Sequence, residues 1–478
     1  MSAAERGIEA AAIYLPKARL PMSEQREVWD AVRAPGIGST TVPAADEDAL
    51  TMAVAAGQRV LEAWDGDREA VTSAALATTT PPTAEGALSG RLGMALGLDG
   101  AVQTADLQGD LLAGAAALER ALEATGPALV TVADAPPGDP GAEGQRVGAG
   151  AAAFLVDEEP TVSLLGRARA GTEYPGVRYR PSCGSMEELG VRAYERAAVR
   201  ESVGSAIDRL DLDLTPLGAA ALHQPHAGAP RRLGGALGLD DAAIEAGLVA
   251  DRIGDAGAAG VPIGLCAAIH DRAAADRTLA AFAGSEGGAA VSVWEGGLTV
   301  SGLESLETGV EIDYHSAMRR RGHFGEASVA GGGAYVSLPT WRRTLAQRYR
   351  LEAGRCQDCW SVTFPPDGAC PACGYRGPYD PVELAREGTV AAVTTISEGA
   401  APPEFAELQR RSGPFATAIV ECDAAGGGSA RLPAMLTHDD PAEVSIGDTV
   451  RATLRRLYEQ EGNVRYGMKF GPGRTPGP

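Results

Sequence analysis

Four cysteines carry the clearest chemical signal in this chain of 478 residues. They form two Cys-x-x-Cys pairs, Cys356 with Cys359 and Cys370 with Cys373, and ten residues separate the two pairs. This spacing lets four thiolates surround one tetrahedral Zn²⁺ ion, whereas a redox dithiol needs only one pair. A disulfide framework also uses paired cysteines, but it is typical of secreted proteins. The pattern therefore favours a closed, structural zinc site.

The composition indicates where the protein is located and which classes of partner it is unsuited to bind. The chain has 63 acidic and 42 basic side chains and a net charge of -21, which disfavours nucleic acids and anionic membranes as partners. It contains no apolar run of membrane-spanning length and no secretory signal. The other cysteines, Cys183, Cys266 and Cys422, are scattered singly, as in proteins with reduced thiols. We therefore expect a cytoplasmic protein that does not cross a membrane.

The first 300 residues alternate strand and helix patterns in two similar series. In the first series, strands are predicted at 7–15, 71–77, 102–107, 128–133 and 148–156. In the second, strands are predicted at 161–168, at 218–222 and as a pair that ends near Val293, with helices near 186–210 and 231–239. This alternation predicts a layered sheet with helices on its faces, and the repeated order indicates an internal duplication.

The rest of the chain has a different pattern. Residues 318–325 are charged and predict a surface turn or linker, and residues 335–349 predict a short helix that leads into the cysteine pairs. After the cysteines, short strands are predicted at 388–398, 415–423, 431–437 and 449–457, with Gly/Asp turns between them. Strands of this length and spacing predict a small barrel.

Several short stretches carry a family resemblance. They are Gly7-Ile8-Glu9, Tyr14-Leu15-Pro16, residues 42–54 and His223-Gln224-Pro225. With them, residues 1 to about 300 resemble the thiolase superfamily, and specifically 3-hydroxy-3-methylglutaryl-CoA (HMG-CoA) synthases of the prokaryotic type. Residues 335–472 resemble small acyl-CoA-associated proteins in which a rubredoxin-like zinc ribbon precedes an OB-fold. That second match rests on the cysteine pairs and on Phe364-Pro365-Pro366, Gly388-Thr389-Val390, Ile446-Gly447-Asp448 and Lys469-Phe470.

The two resemblances imply an architecture of the α/β class. The expected fold is a duplicated, thiolase-like α-β-α-β-α arrangement of layers, followed by a zinc ribbon and a small OB-fold β-barrel. The implied boundaries are 1–325 for the synthase-like domain, with halves at about 1–157 and 158–325, then 326–352 for a linker and helix, 353–376 for the ribbon and 380–472 for the OB-fold.

The resemblance also identifies positions at which catalytic groups are expected. Condensing enzymes of this superfamily hold a cysteine at the N-terminus of a buried helix, where the helix dipole stabilises the thiolate. That position is Leu111 here, and the glutamate acid/base of the synthases corresponds to Thr78. The family's histidine is present as His223, and its asparagine is replaced by Asp255. A leucine cannot form an acyl-enzyme, which argues against HMG-CoA synthesis by this chain alone.

Other groups are candidates for the remaining roles. Gly228 stands where the family places a basic residue that meets CoA phosphate, and Arg231 and Arg232 are the candidates to replace it. Asp110, beside Leu111, is a candidate catalytic carboxylate together with Asp255 and His223.

Each candidate also has a plain structural interpretation. His223 would serve equally as a buried, hydrogen-bonded histidine, Asp110 as a helix N-cap and Asp255 as a turn former. Cys183 and Cys266 are better explained by packing than as nucleophiles.

Three functions follow from these expectations. The first is a non-condensing subunit that binds acyl-CoA, works with a thiolase partner and forms a homodimer through its thiolase-like domain. The second is an acyl-CoA aldolase or lyase, as in thiolase-fold aldolases that lack the cysteine and need an OB-fold partner; Asp110 or Asp255 would be the base and His223 the enolate-stabilising donor. The third, an acyltransferase of the HMG-CoA synthase type, needs a nucleophile that the sequence does not show. Structural zinc and a CoA ester are the expected ligands.

Overall fold

The computed structural model describes residues 6–141, 144–181, 186–324, 337–437, 440–460 and 462–473. The chain divides into two compact units, Met1–His323 and Phe324–Pro478. Cys183 and part of the expected linker 326–352 lie outside the described residues. The domain boundaries inferred from the resemblance stay predictions.

The first unit is built from short strands and helices. Its strands are β1 (Gly7–Tyr14), β2 (Ala18–Pro21), β3 (Ser39–Val42), β4 (Ser73–Thr78), β5 (Gln103–Gln108), β6 (Ala128–Asp134), β7 (Gly150–Asp157), β8 (Val162–Ala170), β9 (Ala219–Leu222), β10 (Arg277–Ala283), β11 (Ala289–Glu295) and β12 (Val310–Glu311). Its helices are α1 (Met22–Val28), α2 (Ala49–Ala63), α3 (Leu88–Leu96), α4 (Ala113–Leu122), α5 (Arg192–Ile207), α6 (Gly228–Ala236), α7 (Asp241–Glu245), α8 (Ala250–Ile253), α9 (Gly260–Ile269) and α10 (Tyr314–Arg321). Among the described residues, no helix is both long and apolar enough to cross a membrane.

Nine of these strands form one sheet in which the second half mirrors the first. The order is β5-β4-β6-β7-β1-β8-β11-β10-β9. In the first half, β4 and β6 are parallel, β6 pairs antiparallel with β7, and β7 pairs with β1. In the second half, β9 and β10 are parallel, β10 pairs antiparallel with β11, and β11 pairs with β8. The halves meet where Gly7 and Ile8 pair with Ser163 and Val162. This mirrored order is the structural form of the duplication expected from the sequence.

The outer edge of β9 is covered by a close backbone approach. Gly247 passes so near β9 that a Cβ atom there would lie 2.3 Å from the carbonyl oxygen of Ala220. Only glycine tolerates such an approach, so this position is closed to larger residues.

Helices lie on both faces of the sheet. Helices α4 and α9 share one apolar core with both halves of the sheet, and α2 packs on β1, β6 and β7. Strand β10 shows the layering, because Ala280 and Phe282 belong to the core that contains α9, while Leu279 and Ala281 belong to a second core that includes Val203 of α5. Alternate side chains of a strand point to opposite faces, so both faces of β10 are buried under helices.

Local sequence signals explain several boundaries of these elements. Asp48 caps α2, because its side chain accepts a hydrogen bond from the Thr51 N–H while the Thr51 hydroxyl accepts one from the Asp48 N–H. Gly97 ends α3 in the left-handed conformation with φ 70°. The predicted turn at 318–325 is wrong over its first part, since α10 continues to Arg321. Ala317 and Met318 are buried and give this helix an apolar face that its charged composition obscures.

The second unit is a ribbon joined to a barrel. Its helices are α11 (Leu338–Arg343), α12 (Leu345–Arg350) and α13 (Ala406–Ser412), and its strands are β13 (Glu352–Cys356), β14 (Val362–Thr363), β15 (Tyr379–Ile396), β16 (Phe415–Ala424), β17 (Ser429–Met435), β18 (Thr449–Gln460) and β19 (Asn463–Pro472). The first part of β15 pairs with β13 of the ribbon, and its later part pairs with β16 and β18. A bridge between Leu436 and Phe470 brings β17 to β19 and closes the barrel.

Candidate functional site

Asp110 and Leu111 lie in the turn that leads into helix α4. Leu111 is buried, and its N–H donates a hydrogen bond to Ser285 Oγ at 3.2 Å. Asp110 Oδ1 accepts hydrogen bonds from the N–H groups of Leu112 and Ser285, both at 3.0 Å. The Asp110 carboxylate therefore stabilises the turn that precedes α4 and ties it to the hairpin between β10 and β11. The contacts of Asp110 are those of a turn-forming residue, and a catalytic role for it stays a prediction.

Thr78, at the position of the synthase glutamate, belongs to a buried network around Asp134. The Thr78 hydroxyl donates to Asp134 Oδ1 at 2.8 Å, and the Thr79 and Thr80 N–H groups donate to the same oxygen at 2.7 and 3.0 Å. Asp134 Oδ2 accepts the Ala258 N–H at 2.7 Å. A buried carboxylate with this many donors is satisfied by the protein itself. Asp134 therefore joins the end of β4 to the turn that precedes α9.

Asp255 forms a buried ion pair. Its Oδ2 lies 2.7 Å from Arg178 Nη1 and 3.6 Å from Arg146 Nε, and its Oδ1 accepts the Gly257 N–H at 3.0 Å. Burial alone would raise the pKa of Asp255, but the charges of Arg178 and Arg146 outweigh it and hold the pKa below its ordinary value. Asp255 is therefore ionised at neutral pH and is a weak base, because efficient general bases have a pKa near the working pH.

His223 has the properties of a group that is open to a ligand. Its ring lines a cavity and forms no hydrogen bond with any other residue that the structure describes. Burial lowers the pKa of His223 to about 4, with Arg178 and His226 adding to the effect and Asp255 opposing it. The imidazole is therefore neutral at physiological pH and presents one N–H donor and one acceptor.

Two adjoining cavities open beside His223. The first, the His223 cavity, has a volume of about 540 Å³ and lies between α5 and α6. The second, the arginine cavity, has a volume of about 550 Å³. Glu195, Arg196, His226 and Arg232 line both cavities, so the two cavities adjoin. Cavities of this size are typical of small-molecule sites.

Arg231 and Arg232 were the two candidate CoA contacts, and only Arg232 lines the two cavities. Arg232 lines both cavities and lies 3.2 Å from His226, measured from Nη2 to Nε2. Arg231 instead forms an exposed ion pair with Glu245, 2.7 Å from Nε to Oε1, and is not among the residues that line either cavity. The structure thus places one of the two beside the candidate ligand site.

The four ribbon cysteines converge as the sequence predicts. Cys356 Sγ lies 3.7 Å from Cys373 Sγ, Cys359 Sγ lies 3.7 Å from Cys370 Sγ, and all four sulfurs are within 4.8 Å of one another. These distances exclude disulfide bonds, whose sulfurs are about 2 Å apart. They fit a zinc tetrahedron, in which Zn–S bonds of about 2.3 Å give sulfur–sulfur edges of about 3.8 Å.

The four thiols differ in acidity. Ser361 and the backbone N–H of Cys373 donate towards Cys370 and lower its pKa to about 6. The Tyr375 N–H lowers the pKa of Cys373, but burial and the neighbouring thiols outweigh it and raise that pKa to about 12. The donor set and the geometry together fit a structural Zn²⁺ ion.

Sequence reasoning missed several residues that shape the first unit. Asp134 accepts a hydrogen bond from Thr78, and Arg178 forms an ion pair with Asp255. Ser285 accepts a hydrogen bond from the Leu111 N–H. In each pair the two residues are distant in the chain. One signal was available: Arg192, Arg196 and Arg200 recur every four residues on α5, a basic stripe in an acidic chain.

Comparison with known proteins supports both parts of the architecture. Family models match residues 343–377 as the "ChsH2, rubredoxin-like zinc ribbon domain" and residues 381–455 as the "ChsH2, C-terminal OB-fold domain". A DUF35 domain-containing scaffold protein of Methanothermobacter thermautotrophicus is 30% identical over 138 residues, which cover 28% of this chain and 96% of that protein. Through its second unit, the chain belongs to the DUF35 domain family.

The DUF35 part is fused to a synthase-like part. A hydroxymethylglutaryl-CoA synthase of Methanopyrus kandleri is 27% identical over 300 residues, covering 59% of this chain and 85% of that enzyme. The crystal structure of an HMG-CoA synthase complexed with CoA superposes with a TM-score of 0.60 at 18% identity and covers 70% of this chain and 94% of that one. The expected thiolase-like fold, zinc ribbon and OB-fold are thereby confirmed.

Proposed function

We propose that this DUF35 fusion protein is an acyl-CoA-binding, non-condensing subunit that acts with a thiolase in acyl-CoA carbon–carbon bond metabolism. One observation carries the proposal: Leu111 is buried at the start of α4, where a condensing enzyme needs its thiol. Among the described residues of the first unit, the single cysteine is Cys266, which is buried in α9 and whose pKa is raised by that burial. Such a thiol is a poor nucleophile.

The adjoining cavities support binding of a CoA ester. His223 offers a neutral donor to a thioester oxygen, and Arg232 offers a positive charge within the same space. The similarity to HMG-CoA synthases, one of them solved in complex with CoA, agrees with this ligand class.

Both units support an assembly with other chains. The DUF35 relatives of Methanothermobacter thermautotrophicus and Methanocaldococcus jannaschii are described as scaffold proteins, which supports a bridging role for the second unit here. In the first unit β5 is an edge strand, and no described strand pairs with its outer side. An unpaired edge is a natural surface for a second copy, which supports a homodimer through the synthase-like part.

Acetyl-CoA is expected to leave the protein unmodified, because no activated thiol occupies the start of α4. The measurement is intact-protein mass spectrometry after incubation with acetyl-CoA. The matched variant is Leu111→Cys, which restores a thiol at this position and reports whether the surrounding helix still activates it. A stable acetyl adduct on the wild-type protein, mapped to a cysteine by peptide analysis, would contradict the proposal.

An acyl-CoA lyase is the second candidate, and His223 is the observation that favours it. A neutral imidazole that lines a cavity and makes no hydrogen bond to the described residues is suited to stabilise an enolate oxygen. The arginine pair on Asp255 and the backbone hydrogen bonds to Asp110 make both groups weaker candidate bases, which is why the binding function is preferred.

His223→Ala separates the two functions. For a binding subunit, affinity for a CoA ester is expected to change modestly, since one hydrogen bond contributes about 0.5–1.5 kcal/mol. For a lyase, turnover is expected to fall about a hundredfold or more with little change in binding, because the contact strengthens in the transition state. The measurements are cleavage of β-hydroxyacyl-CoA esters and calorimetry, each with and without a co-purifying thiolase.

The control is His270→Ala, since His270 accepts the Val300 N–H and is not among the residues that line either cavity. Robust cleavage by the wild type that His223→Ala abolishes and His270→Ala preserves would overturn the binding function. Absence of cleavage under all conditions would remove the lyase.

A further inference from the structure

One face of helix α5 presents a row of arginines to the two cavities. Arg192, Arg196 and Arg200 are four residues apart, so they lie on the same side of the helix. Arg196 lines both cavities, Arg192 lines the arginine cavity and Arg200 lines the His223 cavity. Arg232 faces this row from α6. Guanidinium groups from two helices therefore converge where the two cavities adjoin.

Arginines outnumber carboxylates in the lining of the arginine cavity, which contains Arg33, Arg146, Arg192, Arg196 and Arg232 together with Glu188 and Glu195. Within the part of the chain that the structure describes, none of Arg192, Arg196 and Arg232 forms a salt bridge with a carboxylate. Burial lowers the pKa of Arg232, and repulsion from Arg196 and Arg192 lowers it further. The neighbouring Arg231, by contrast, pairs with Glu245. Burial and Glu188 raise the pKa of Glu195, while Arg146, Arg192 and Arg196 oppose that rise, so this carboxylate offsets part of the positive charge. The lining of the arginine cavity keeps a net positive charge, which favours an anionic ligand.

The position of the cluster also favours an anion. Like charges four residues apart destabilise a helix, and Arg192 is the first residue of α5, where the helix dipole disfavours a cation and favours an anion. The protein as a whole has a net charge of -21, so an unpaired positive site is not explained by composition. A bound anion would offset the repulsion among these arginines and would interact favourably with the N-terminus of α5.

We propose that Arg192, Arg196 and Arg232 bind the phosphate groups of CoA, so that its adenosine 3′-phosphate 5′-diphosphate end lies in the arginine cavity and its pantetheine arm runs towards His223. This inference rests on the proposed acyl-CoA binding. Several separated guanidinium groups match a ligand with more than one phosphate, because each planar fork binds phosphate oxygens in a bidentate manner. The cluster also supplies the basic contact that Gly228 cannot make.

Calorimetric titration of the full chain with CoA, 3′-dephospho-CoA and pantetheine tests the assignment. The wild type is expected to bind CoA at least tenfold more tightly than pantetheine, with 3′-dephospho-CoA between them, and to lose this preference at high salt. Arg196→Gln and Arg232→Gln are each expected to weaken CoA binding about tenfold or more and to leave pantetheine binding unchanged. The two variants lie on different helices, so a local folding defect in one does not decide the result.

Arg231→Gln is the matched control, since it removes an arginine adjacent to Arg232 that is paired outside the cavities. CoA affinity equal in Arg196→Gln, Arg232→Gln and Arg231→Gln would overturn the assignment while leaving acyl-CoA binding intact. Equal affinity of the wild type for CoA and pantetheine, or binding only of an acylated carrier protein, would overturn it as well. Failure of the wild type to bind any CoA species would instead overturn the proposed function on which the assignment rests.

Discussion

Cys370→Ser is expected to release zinc and unfold the ribbon of the second unit while the first unit stays folded. The ribbon has too small an apolar core to fold alone, and structural zinc contributes on the order of 10 kcal/mol to such modules. Cys370 is buried, with its sulfur 3.7 Å from that of Cys359, so serine would remove one ligand of the tetrahedron. The measurements are metal content, expected at about one zinc per chain in the wild type, and hydrogen exchange across both units.

Cys422→Ser provides the control for this experiment. Cys422 is a buried free cysteine on β16 and is not a member of the four-cysteine cluster. This variant is expected to keep its zinc and the protection of its ribbon amides. Fully folded wild-type protein with far less than one zinc per chain would contradict the metal assignment.

Asp255→Ala is expected to lower the free energy of unfolding of the first unit by about 3–5 kcal/mol. The change leaves Arg178 buried without its carboxylate partner, whereas Arg146 keeps its ion pair with Glu188, and an unpaired buried charge is costly. Chemical denaturation of both proteins measures the difference. Asp251→Ala is the control, because Asp251 pairs with Arg252 at 3.3 Å near the surface and such pairs contribute about 1 kcal/mol or less. Equal losses in the two variants would refute a stabilising role for the buried pair.

The pH dependence gives this prediction a second readout. The pKa of Asp255 in the folded protein is below its ordinary value, so its stabilising contribution is present above the unfolded pKa of about 3.9. The contribution is lost as the pH falls through the lower, folded-state pKa. The difference between the wild type and Asp255→Ala is therefore expected to be constant from neutral pH down to about 5 and to shrink only in stronger acid. A difference that disappears between pH 7 and 5 would exclude the ion pair as its source.

The parts of the fold that the sequence predicted are those set by local chemistry. The strands predicted at 71–77, 128–133 and 218–222 correspond to β4, β6 and β9, because a buried strand is a short apolar run that turn residues delimit. The four cysteines were recognisable because each pair lies within one short turn and a small ribbon brings the two turns together. Strand β19 was missed, since its glycines, Gly467 and Gly471, weaken the alternating pattern of a strand that closes the barrel.

The roles of Asp110, Asp255 and Asp134 depend on contacts with residues that are far away in the sequence. Asp110 and Asp255 were both candidate bases, and only the fold shows that the first stabilises the turn before α4 and the second is held by Arg178. Asp134 was not considered, although it organises the end of β4, because its donors come from residues more than 50 positions away. A side chain's pKa and availability depend on such neighbours, and sequence spacing does not report them.

The sequence by itself determined the two-part composition of this protein, the zinc ligands and the absence of a thiol at Leu111, because residue identity and short-range spacing suffice for these conclusions. The tertiary structure decided which groups remain open to a ligand. Chain folding leaves His223 without a hydrogen bond to the described residues, and it brings Arg192 and Arg196 opposite Arg232 from another helix. The physical reason is that burial and electrostatic repulsion act through space, over distances that only the folded chain creates.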